Sequence, residues 1–135
     1  MSDPMSNLKG LQPEMKTKLE SEGIRNTTQF LEHTRTQQQR AELAHKVGTT
    51  SLAIKELVNR ADLMRLRGVG GDFLNMLEEA GVTSCRELQH RVPEKLYKTL
   101  EAVHTDKKIG HRVPTLVQTT EWITEAKTLA ATSPV

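Results

Sequence analysis

Cys85 is the single cysteine, and His90 follows five residues later, so a thiol–imidazole pair is the first chemistry to weigh. On a short helix that spacing puts the two side chains on different faces, and a small buried apolar role suits Cys85 better than catalysis. His33, His45, His90, His104 and His111 show no His-x3-His step and no His/Cys ligand spacing, so no metal site is expected. The adjacent carboxylates Glu78 and Glu79 read as an exposed helix face rather than an acid/base pair. Gly68-x-Gly70-Gly71 lacks the preceding strand that a phosphate or dinucleotide loop requires. No catalytic residue is assigned, and no cofactor or small-molecule substrate is expected.

Basic residues form the one remaining constellation. Arg65 and Arg67 flank Gly68, with Gly70 and Gly71 just beyond and Arg60 about one and a half helical turns earlier. Lys107, Lys108, His111 and Arg112 surround Gly110. Net charge is only +2, from 19 basic and 17 acidic residues, so whole-molecule attraction to a polyanion is weak. Locally, residues 40–71 and 91–112 each carry six basic groups against three acidic, whereas 72–90 set Asp72, Glu78, Glu79 and Glu87 against Arg86 alone. The candidate nucleic-acid contacts are therefore Arg65, Arg67, Gly68, Gly70, Gly71, Lys107, Lys108 and Arg112. They could neutralise a few phosphates, giving weak and salt-sensitive binding, although ordinary solvated charge is the simpler reading. The four aromatics, Phe30, Phe73, Tyr97 and Trp122, sit at core-like positions, which disfavours base stacking.

The elements that must position these groups are helices. With 135 residues the chain is about one domain in size, and its aromatic-poor core suits helix better than sheet. Residues 8–30 echo residues 66–88 at a constant shift of 58, with Gly10 on Gly68, Leu19 on Leu77, Gly23 on Gly81 and Phe30 on Leu88. Lys46-Val47-Gly48 then answers Lys108-Ile109-Gly110 at a shift of 62, and Glu56-Leu57-Val58 with Ala61 answers Glu121-Trp122-Ile123 with Ala126 at 65. Gly10 and Gly68 are placed where one helix reverses into the next, and Gly23 and Gly81 where a helix stops. Thr27 or Thr28, and Thr83 or Ser84, are expected to cap the helices that follow. Apolar periodicity predicts helices near 13–22, 27–34, 36–47, 51–65, 71–80, 84–90, 93–104 and 114–131. The fold expected is all-α: two diverged repeats, about 8–65 and 66–131, packed as one compact domain over 8–131 with flexible ends at 1–7 and 132–135. One cysteine, no apolar leader and no run of membrane-spanning length point to a reducing, cytoplasmic setting.

Leu66-Arg67-Gly68-Val69-Gly70, followed by Leu77 and Ala80-Gly81-Val82, resembles the helix-hairpin-helix motif of DNA-binding and repair proteins. With Arg60-Ala61-Asp62-Leu63-Met64, Trp122-Ile123 and Ala126, the pattern over roughly 8–130 is similar to a bacterial family of tandem helix-hairpin-helix proteins catalogued as a domain of unknown function. In DNA-binding members of the wider motif, hairpin amides and the next helix N-terminus hold a phosphate, with a basic residue just past the hairpin. The matching positions here are Asp72 and Glu14, and the first copy has Gln12-Pro13 in place of the second hairpin glycine. The resemblance together with these departures favours a non-enzymatic module that binds another protein or itself. Sequence-independent duplex-DNA binding through the second hairpin is the alternative.

One expectation concerns closure. Only seven residues precede Leu8, so the first hairpin lacks a lead helix, and packing economy places the C-terminal helix beside it through a buried Trp122, Ile123 and Ala126.

Overall fold

The computed structural model describes residues 5, 8 and 10–132. Among these the secondary structure is all helical: α1 Pro13–Ser21, α2 Thr27–Glu32, α3 Gln37–Val47, α4 Ser51–Leu63, α5 Gly71–Glu79, α6 Cys85–Leu88, α7 Pro93–Lys107 and α8 Leu116–Leu129, with a closing 3-10 turn at Ala130–Thr132. No helix among the described residues is long and apolar enough to cross a membrane. Of the ends expected to be flexible, 1–4, 6–7 and 133–135 lie outside the described residues, as does Lys9. Met5 is buried, and Thr132 belongs to the closing 3-10 turn.

The chain divides into two compact units between Asp62 and Leu63. In the first, Pro at the opening position and Glu14 in the first turn favour the start of α1, since neither an amide donor nor a cation is wanted there. Leu19, Ile24, Phe30, Val47, Ile54, Val58 and Ala61 are buried, and α1 packs on α3. In the second, Leu63, Leu66, Phe73, Leu74, Met76, Leu77, Val82, Cys85, Leu88, Leu96, Leu100, Trp122, Ile123 and Ala126 form one apolar cluster. Here α8 packs on α6 and α7, and α5 packs on α7. Cys85 lies inside this cluster, as its apolar reading anticipates.

At a shift of 58 the two units repeat one hydrogen-bond scheme. Leu8 N–H donates to Met5 O at 3.0 Å and Leu11 N–H to Leu8 O at 3.3 Å, as Leu66 N–H does to Leu63 O at 3.1 Å and Val69 N–H to Leu66 O at 3.3 Å. Gly10 and Gly68 have φ of 84° and 82°, in the left-handed region that glycine enters without a Cβ penalty. Past α1, Gly23 N–H reaches Glu20 O and Ile24 N–H reaches Leu19 O; past α5, Gly81 N–H reaches Glu78 O and Val82 N–H reaches Leu77 O. Each is the paired-bond stop that an apolar residue after a left-handed glycine produces.

Several caps differ from expectation. Ser84 caps α6, but α2 is capped by Asn26, whose side chain accepts from Gln29 N–H, while Thr27 is already helical. Asparagine is a stronger N-cap residue than threonine, and Asn26 accepts from the third amide at 2.8 Å. The last helix opens at Leu116 rather than Pro114, since Thr115 and Gln118 form a reciprocal capping box. Gly48 caps α3 with φ 76°, yet its sequence echo Gly110 does not cap α7: Lys108 does, at φ 55° and ψ 40°.

The closure expectation fails in its partner. Trp122 is buried at 2% exposure, but its indole N–H donates to Arg67 O at 2.9 Å, in the second turn, and the ring belongs to the second unit's core. In the first unit it is Arg60 of α4 whose guanidinium lies against Gly10. Arg60 of α4 thus meets the first turn, and Trp122 and Glu125 of α8 the second, as the echo of α4 by α8 at a shift of 65 would have them do.

Candidate interaction site at the second turn

The turn between Leu66 and α5 is held from both sides of one residue. Arg67 N–H donates to Glu125 Oε1 at 2.9 Å, and Arg67 O accepts from Trp122, so α8 engages donor and acceptor of the same peptide segment. Arg65 secures the far end of α8, donating to Leu129 O at 3.0 Å and Thr132 Oγ1 at 2.9 Å; a cation over terminal carbonyls also complements the helix dipole. Phe73 meets Trp122 edge to face, with ring centroids 5.2 Å apart and an interplanar angle of 62°.

Beyond Arg67 the backbone is bare. Gly70 is the N-cap residue of α5 and offers no side-chain cap, and methyl groups at Gly68, Gly70 or Gly71 would meet nothing within 4 Å. Two concavities share Gly68. One, of about 310 Å³, is lined by Gly68, Gly70, Gly71, Asp72, Phe73, His111 and Arg112. The other, of about 570 Å³, runs along α8 past Arg67, Glu121, Trp122 and Glu125.

The loop after α7 brings His111 and Arg112 to the first recess. Left-handed Lys108 reverses the chain, His104 Nδ1 lies 3.0 Å from Ile109 O, and Gly110, at φ 82°, passes so close to the Met76 sulfur that a Cβ would collide. The Arg112 guanidinium then stands 5.1 Å over the Phe73 ring, a cation–π contact, and His111 Nε2 lies 3.3 Å from Asp72 Oδ2. Asp72 occupies the first turn of α5, where a carboxylate itself satisfies the positive end of the helix.

The eight candidate contacts are thus only partly brought together. Arg67, Gly68, Gly70, Gly71 and Arg112 line the two concavities. Arg65 is spent on the end of α8, and Lys107 pairs with Glu79 at 2.7 Å. Lys108 is exposed, with its backbone serving as the α7 cap. Sequence reasoning missed Glu125, although its place in the echo of α4 by α8, opposite Arg60, was open to inspection.

Comparison with known proteins adds a family. No curated protein and no solved structure matches the chain. A family model described as a domain of unknown function, DUF4332, matches residues 9–129. Since that match spans nearly all of the helical chain, from before α1 to the end of α8, the protein belongs to the DUF4332 family.

Proposed function

We propose that the two units are tandem helix-hairpin-helix repeats and that the chain is a non-enzymatic interaction module whose second turn binds another protein or a second copy of itself. The repeat reading is supported by the shared φ values at Gly10 and Gly68 and by the hydrogen-bond scheme conserved at a shift of 58. The single observation that carries the function is where the carboxylates sit. Glu14 and Asp72 occupy the first turns of α1 and α5, and Glu125 takes the Arg67 amide, so the polar groups that would welcome a phosphate are already met by negative charge.

Sequence-independent duplex-DNA binding is the second reading, favoured by Arg112 and His111 beside an open glycine turn. A salt series of binding to random duplex DNA separates the two. Protein binding predicts no sub-micromolar DNA affinity at physiological salt; tight binding with a steep salt slope would overturn it. Asp72→Lys should raise DNA affinity if the turn is otherwise competent to hold a phosphate.

A further inference from the structure

The fold requires glycine at position 68, where φ is 82°, but not at 70 or 71. Gly70 has φ −102°, Gly71 opens α5, and neither position has a neighbour that a methyl group would strike. The first turn is the internal control. At a shift of 58, the same two places hold Gln12 and Pro13, with Gln12 the N-cap of α1 at φ −78° and ψ 149°. The chain therefore builds this turn with side chains present, and glycine at 71, the first residue of α5, lowers helix propensity with no contact inside the unit to account for it. What the two glycines provide is bare backbone that another surface can approach closely.

Charge says which surface. The concavity along α8 holds exposed Glu121 and half-buried Glu125, with the exposed Arg67; the other that shares Gly68 holds exposed Arg112, His111 and Asp72. Two of these are internally engaged, Glu125 by the Arg67 amide and Asp72 by His111. Glu121 and Arg112, like Arg67 beside Glu121, have no ion-pair partner among the described residues, and they line the two different concavities that meet at Gly68. A patch with a free carboxylate in one concavity and a free guanidinium in the next can pair each with its opposite in a second copy across a two-fold axis.

We propose that the glycine turn at 68–71 is a self-association surface, in which two copies meet turn to turn with Glu121 of each facing Arg112 of the other. This deepens the interaction-module reading and rests on it. Sedimentation equilibrium of the full chain tests it. The native protein should show a concentration-dependent dimer that weakens as salt rises. Glu121→Lys or Arg112→Glu alone should weaken the dimer by about tenfold or more, because each sets like charges together twice. Mixing the two variants should restore native association, since every reversed charge then meets its opposite. Gly70→Gln with Gly71→Pro, which installs the first turn's own residues, should keep the helical circular dichroism and lose the dimer.

A native chain that stays monomeric at all attainable concentrations overturns the proposal. So does a mixture no tighter than either variant alone, or a Gln-Pro graft that dimerises like the native chain. A monomer that captures a different protein through this turn also overturns self-pairing, but leaves the module reading intact. Tight DNA binding at physiological salt would remove the module reading itself.

Discussion

In the first turn Gly10 lies against the Arg60 guanidinium, and Gln12 and Pro13 lead into α1; in the second, Gly68 is uncovered, and Gly70 and Gly71 lead into α5. The backbones agree in dihedral angle and hydrogen bonding, while the outward side chains have gone separate ways. The closing helices show the same division. Leu57 of α4 and Trp122 of α8 are echo positions and both buried, whereas Arg60 and Glu125, three residues later in each, carry opposite charge to their turns. The two turns thus share left-handed glycines and a short set of backbone bonds, while the positions around them differ. The first unit covers its glycine with the Arg60 side chain, and the second leaves Gly68 open.

The comparison can be broken first at the closing helices. Trp122→Ala should destabilise the protein by about 3–5 kcal/mol, and Leu57→Ala by about 2–5 kcal/mol, in guanidinium denaturation. If Leu57→Ala costs nothing, α4 is not the counterpart of α8. Next come the glycines. Gly68→Ala should cost about 1–2 kcal/mol for placing a Cβ in left-handed backbone, and Gly10→Ala at least as much, because it also displaces the Arg60 guanidinium. Gly71→Ala should instead be neutral or stabilise by up to about 1 kcal/mol, and a clear loss there would mean the fold does need that glycine. Glu125→Gln keeps an acceptor for Arg67 N–H while removing the charge, so a drop of about 0.5–1 kcal/mol is expected in the same assay. Lys107→Ala, which removes an exposed ion pair to Glu79, should change stability by less than about 1 kcal/mol.

Much of this architecture was legible in the residues because it depends on local rules. Gly10, Gly23, Gly68 and Gly81 marked backbone that only glycine enters easily, and their spacing pointed to two like turns. Apolar periodicity placed eight helices to within a few residues at most boundaries, because a helix's buried stripe is written in its own sequence. Long-range choices were less visible. That α8 would serve the second turn depends on Trp122 finding the Arg67 carbonyl, a bond between residues 55 apart that no window of sequence displays. Of the candidate site, the glycines and Arg112 could be read directly. Arg65 and Lys107 could not be told from free surface charges, because their partners, Leu129 O and Glu79, are chosen by packing. The backbone role of Lys108 was hidden for another reason: left-handed backbone usually selects glycine, and here it falls two residues before Gly110.

The position of the single tryptophan makes the second unit self-reporting. Trp122 and the single tyrosine, Tyr97, both lie in the second unit, while the aromatic core residue of the first is Phe30. Near-ultraviolet and emission signals from the indole therefore track the loss of its bond to Arg67 and its contact with Phe73, whereas far-ultraviolet ellipticity sums the helices of both units. Coincident midpoints from the two probes would mean that both units melt as one cooperative block. Separated midpoints would mean that each unit has its own folding transition, and the gap between the curves would measure how far each unit folds independently of the other.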